Sequence, residues 1–190
     1  MARLLDQVLV IDIESTCWEG APPVGEVSEI IEIGLCPVEV ASGRRLEKRS
    51  ILVRPVRSKV SAFCEQLTTL TQQQVDAGMD FADACRLLER EYRSPDRLWA
   101  SYGDYDRNQF TRQCQSANLR YPFGPSHLNI KTLFALTHRL PAEVGLDAAM
   151  RLLGITMTGT HHRGDDDAWN AALVLIKLLE RLRPPPLGPA

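Results

Sequence analysis

The chain holds 190 residues, enough for one globular domain, and an apolar fraction of 44% supports a sizeable core. Its net charge of −2, from 22 basic and 24 acidic side chains, excludes a protein that coats nucleic acid through bulk positive charge. It leaves open a local grip on a polyanion, above all through bound metal. The cysteines, Cys17, Cys36, Cys64, Cys85 and Cys114, are odd in number and include no C-x-x-C. They read as reduced thiols of a cytoplasmic protein. No signal peptide is expected before the first strand, and no apolar run is long enough to span a bilayer.

In chain order, VLVID (8–12) reads as a short buried strand. EIIEIGLCPVEV (29–40) alternates Ile31, Ile33 and Leu35 with Glu32, Gly34 and Cys36, which predicts a second strand. Ala41, Ser42 and Gly43 make a turn, and LEKRSILVRP (46–55) gives a third strand paired to the second. Helices are expected around 61–67, 71–77 and 80–93. LWASYG (98–103) is a fourth strand, leading into a helix near 105–117. NIKTLFALTHRL (129–140) reads as helical. LDAAMRLLG is a short helix with Leu146, Ala149, Met150 and Leu153 on one face and Gly154 as its stop. A fifth strand falls at 125–130 or 156–158. A last helix runs from about 165 to 183, and the prolines of residues 184–190 predict a loose tail. Early strands followed by helices with strands between them indicate an α/β domain over 1–183, built on a mixed sheet.

Three segments carry acids where chemistry is plausible. Side chains alternate along a strand, so Asp12 and Glu14 share a face. Two carboxylates held close repel one another unless one is protonated or a divalent cation joins them. A solvated strand end explains the pair equally well. In SYGDYDRNQF (101–110), acids follow directly on a strand end, where α/β proteins gather ligands. Asp104 suits an N-cap there, which leaves Asp106 for chemistry. In HHRGDDDAWN (161–170), helical spacing puts Asp166 on the polar stripe with Asn170 and Lys177. Asp165 and Asp167 both fall on mostly apolar stripes, and periodicity does not choose between them. A histidine just ahead of such a cluster is a candidate general base.

Taken in order, these segments resemble the DEDDh family of 3′→5′ exonucleases. Its D-x-E motif is matched by Asp12 and Glu14, its aspartate after an aromatic by Tyr105–Asp106, and its H-x₄-D by His162 and Asp167. The resemblance covers residues 8–182. Within the family, IESTCWEG, FCEQLTTLTQQQV and GDYD are similar to the small 3′ exoribonucleases that trim histone-mRNA ends and small interfering RNAs, and to their bacterial relatives. One departure is Thr69, where many relatives carry Gly.

The resemblance implies a ribonuclease H-like fold, with a mixed five-stranded sheet flanked by helices on both faces. It implies two Mg²⁺ or Mn²⁺ ions held by Asp12, Glu14, Asp106 and Asp167, with His162 taking the proton of the attacking water. It implies single-stranded RNA or DNA 3′ ends as partners, no membrane, and allows a homodimer. Ser15, Thr16, Thr68, Leu70 and Tyr105 would meet the terminal nucleotides, Leu70 as an apolar wedge. Lys131 and Arg163 would meet phosphates. Trp18 and the 18–27 loop have no assigned role. The competing readings are a catalytically silent nucleic-acid-binding module, the same chemistry on DNA or short oligonucleotides, and a phosphatase of small substrates. All five expected catalytic groups are present, which argues against the silent module.

Overall fold

The computed structural model describes residues 4–182, so the expected tail lies outside the described residues. The first strand, β1 (Leu4–Ser15), pairs antiparallel with β2 (Ile30–Glu39). Two short strands follow, β3 (Arg44–Arg45) and β4 (Arg49–Leu52), both antiparallel to β2. Helices α1 (Ala62–Thr68), α2 (Gln72–Asp76) and α3 (Phe81–Tyr92) lead to β5 (Arg97–Ser101), parallel to β1. Helix α4 (Tyr105–Ser116) leads to β6 (His127–Asn129), parallel to β5. Helices α5 (Ile130–Thr137), α6 (Leu146–Leu152) and α7 (Gly164–Leu182) complete the described chain. The sheet order is β3-β2-β1-β5-β6, with β4 also on β2.

The sheet is mixed, as expected, but has six strands rather than five. Of the strand expected at 46–55 only β4 forms, and β3 lies ahead of it; the two are separate because three residues, Leu46 to Lys48, stand against two on β2 between the pairs Val38↔Arg45 and Leu35↔Arg49. That is the count of a bulge. Pro37 sits at the break; its carbonyl accepts from the Leu46 amide, but it has no N–H to return. The fifth track is β6, inside the 125–130 window.

Helices cover both faces of the sheet, and β1 and β2 supply both cores. Val8 and Val10 of β1, with Cys36 and Val38 of β2, pack with Ile130, Met150 and the α7 side chains Ala171, Val174, Leu175 and Leu178. Leu9, Ile11 and Ile13, with Ile33 and Leu35, pack with Phe81, Leu88, Trp99 and Phe110 on the other face. The period-2 series 8, 10 therefore continues to Asp12 and Glu14 on the α7 face, and the series 38, 36 continues to Gly34 and Glu32. The acids at the end of β1 thus lie under the start of α7. A smaller cluster joins Ile31, Cys64, Leu70 and Val75.

Gly34 makes that approach possible. A Cβ there would overlap the Gly164 carbonyl group, so the first turn of α7 rests directly on the β2 backbone. Gly164 is confined less severely: a Cβ on it would stand 3.0 Å from the Gly34 amide nitrogen and 3.1 Å from the Asp12 carbonyl oxygen. All five cysteines are free, and no helix among the described residues is long and apolar enough to cross a membrane.

Candidate active site

Asp12 and Glu14 come from β1, Asp106 from the first turn of α4 and Asp167 from the first turn of α7. Carboxylate oxygens of Asp12, Glu14 and Asp167 all lie within 4.8 Å of one another. Asp106 enters from the other side, where its Oδ1 accepts from the Ile13 amide at 2.9 Å, pinning it to the strand between the two β1 acids. Burial first, and then Asp106, Glu14 and Asp167, push the Asp12 carboxyl well above its usual range. Burial, Asp167, Glu32 and Asp106 push Glu14 up to about 9. Burial raises Asp106 to about 6, against the stabilising hydrogen bond from Ile13. Among the described residues, the side chains of Asp12 and Glu14 accept no hydrogen bond. Buried, crowded carboxylates with free oxygens fit a hard divalent cation, which would relieve their repulsion.

The loop before α7 carries two histidines. His162 has φ 62 and donates its amide to Asp167 Oδ2 at 2.9 Å. The ring of His161 stacks on that of His162, with centroids 4.0 Å apart, and His161 Nδ1 lies 3.0 Å from Asp167 Oδ2. His161, His162 and Asp167 form a second group with converging ligand atoms. Burial and the neighbouring His161 lower the His162 pKa, opposed by Asp167.

The expected substrate contacts divide sharply. Tyr105 is 52% exposed at the start of α4, and Lys131 is half-buried, 3.9 Å from Glu143. The others are engaged inside the fold. Thr16 is fully buried; its hydroxyl donates to the Val27 carbonyl and accepts from the Glu29 amide, closing the 18–27 loop. Ser15 is buried with its hydroxyl unpartnered. Thr68 donates to the Cys64 carbonyl and accepts from the Leu70 amide. Leu70, expected as a wedge, is fully buried against Ile31, Cys64 and Val75 and offers a base no surface. Arg163, expected on phosphate, is forked onto Glu32.

Two local expectations are corrected. Asp166 does not face solvent: it is buried, accepts from the Thr160 amide and pairs with Lys48, whose side chain is released by the break between β3 and β4. Asp104 does hold the N-cap position of α4, but its side chain makes no capping hydrogen bond there and instead accepts from Asn129 Nδ2 at 3.0 Å. Sequence reasoning passed over Glu32. The signal was present in EIIEIGLCPV, an acid in mid-strand among apolar residues, the same anomaly that marked Asp12 and Glu14.

A mixed sheet flanked by helices, with carboxylates from β1, α4 and α7 converging at the end of its first strand, is the ribonuclease H-like exonuclease fold. The nuclease domain of 3′hExo, a DEDDh family member solved with rAMP, superposes with a TM-score of 0.85 at 27% identity, over 95% of each chain. The chain belongs to the Exonuclease family, whose model matches residues 9–175. It is 31% identical to human 3′-5′ exoribonuclease 1 over 189 residues, 92% of this chain and 53% of that one. It is 30% identical to the probable 3′-5′ exonuclease KapD of Bacillus subtilis, over 96% of this chain and 92% of KapD. The chain therefore spans about half the length of the human relative and nearly all of the bacterial one.

Proposed function

We propose that the chain is a divalent-metal-dependent 3′→5′ exonuclease that releases nucleoside 5′-monophosphates from single-stranded RNA. The observation that carries this is the set of four carboxylates, Asp12, Glu14, Asp106 and Asp167, crowded together so that burial and mutual repulsion raise three of them, beside a histidine of lowered pKa. Two Mg²⁺ or Mn²⁺ ions held there would polarise the attacking water and neutralise charge on the leaving 3′ oxygen.

The chain's own groups do the rest. His162 accepts the proton of the water at a ring nitrogen left unprotonated near neutral pH. The new bond joins the water oxygen to the terminal phosphorus, and the bond from phosphorus to the 3′ oxygen of the preceding nucleotide breaks. Asp167, bonded to the His162 amide, fixes that backbone relative to the acids. Tyr105 offers an exposed aromatic face for a base, a contact that tolerates any sequence. RNA is the preferred polymer because the family relatives at about 30% identity include an exoribonuclease. A second reading of the base is favoured by one distance: His161 Nδ1, at 3.0 Å, is the imidazole nitrogen facing Asp167.

The test is degradation of 5′-labelled single-stranded RNA and DNA of equal sequence, with Mg²⁺, Mn²⁺ or EDTA, beside Asp12→Ala, His161→Ala and His162→Ala. The expected result is a ladder shortening from the 3′ end of RNA, lost with EDTA and in Asp12→Ala. His162→Ala should lower kcat by roughly 10²–10⁴-fold, the typical worth of a general base. No ladder on either polymer from folded, metal-loaded protein would sink the reading. A larger loss in His161→Ala than in His162→Ala would transfer the role of base.

A further inference from the structure

Glu32 is a fifth carboxylate on the face that carries the site, and it is the one with no solvent exposure. It stands directly across the β1–β2 ladder from Glu14, a placement that is repulsive for two like charges. Glu32 does not belong to either group of converging ligand atoms. Its two oxygens are instead saturated by donors. Oε1 accepts from Arg163 Nη2 at 2.9 Å and from the Ser50 hydroxyl. Oε2 accepts from the Gly164 amide at 2.8 Å and from Arg163 Nε at 3.2 Å.

Those donors sit immediately after His162. His162 is in the left-handed region, uncommon for any residue but glycine although histidine enters it more readily than most, so that neighbouring bonds help to hold it there. Its own amide is tied to Asp167, and the next two residues are tied to Glu32 by a two-pronged guanidinium fork and a backbone hydrogen bond. Gly34, two residues along the same face of β2, fixes the height of the loop by direct contact with Gly164. The position of the histidine is therefore set from the middle of β2, by a carboxylate that has no free oxygen for a metal.

We propose that Glu32 is a positioning residue for His162, acting through Arg163 and Gly164. The inference rests on His162 as the general base. If Glu32 acts only through that base, its loss and the loss of the base are one loss, and their effects do not multiply.

The experiment is a double-mutant cycle of Glu32→Gln and His162→Ala, with kcat, KM and Mg²⁺ half-saturation measured on the same RNA. Glu32→Gln should lower kcat roughly 10–100-fold, the usual reach of a partner behind a working ligand, with KM changed less than about threefold. Adding it to His162→Ala should cost no more than about a further threefold. Glu32→Met/Arg163→Met replaces the buried pair as a unit, a change that such pairs often survive in stability, and should show the same pattern if Glu32→Gln fails to fold. The proposal is overturned if Glu32→Gln leaves kcat unchanged, if its loss multiplies with that of His162→Ala, or if Mg²⁺ half-saturation moves with it. An inactive wild type, or a fully active His162→Ala, would instead refute the underlying functional reading.

Discussion

Thr69 ends α1 at φ 62, with its amide donating to the Glu65 carbonyl at 2.8 Å and its side chain exposed. A β-branched residue is poorly suited to that conformation, and glycine is not. Thr69→Gly should stabilise the protein by about 1 kcal/mol, raising Tm by roughly 2–4 °C, as read by thermal unfolding. The departure from the relatives' glycine thus falls on a helix cap. His162 gives a second test. Burial and then the neighbouring His161 imidazole lower its pKa, so its neutral form persists below the ordinary imidazole value of about 6.5. The acid limb of kcat at saturating Mg²⁺ should lie below that value, and His161→Asn should move it to higher pH. Strand alternation made the shared face of Asp12 and Glu14 readable from the sequence. The burial of Thr16, Thr68 and Leu70 was not readable, because it depends on the 18–27 loop returning to Thr16 and on α1 and α2 packing against Ile31 of β2.

At the level of elements, most helices and strands were legible within a few residues, because each carries its own period and stop signals. The edge strand was the exception. It was expected at 46–55 but forms as 44–45 and 49–52, because its partner has Pro37 at the point where a donor is required. The meeting of β2 and α7 was also hidden, since nothing in the sequence around Gly34 names the distant helix that needs its missing side chain. Gly34→Ala should force the first turn of α7 off the strand and destabilise the protein by about 1–3 kcal/mol in denaturant unfolding. Activity should fall more than stability predicts, since Asp167 and His162 move with that turn. For Asp166, helical periodicity misled because the loop ahead of α7 folds back over its first turn, and a surface position became an internal one.

For the molecule as a whole, the acids make stability depend on pH and on metal. Asp106 is raised to about 6 and Glu14 to about 9, above their ordinary values of 3.8 and 4.5. The folded state therefore binds more protons than the unfolded chain between those limits, and its stability falls as pH rises through them. In EDTA, Tm should drop as pH is raised from 5 to 9. Saturating Mg²⁺ should cancel that slope, since the ion favours the ionised form. A Tm that is level with pH in EDTA would contradict the crowding of charge described for the site. The order of the sheet was not legible beyond its mixed character, because pairing between β1 and β5 joins segments some ninety residues apart. That order leaves β6, three residues long, on one flank and a strand broken in two on the other. Among the described residues, neither flank presents a stranger strand with a long, unbroken edge. The described edges are therefore poor templates for stacking copies edge to edge into fibrils, a protection against aggregation that comes from the same bulge that carries Lys48.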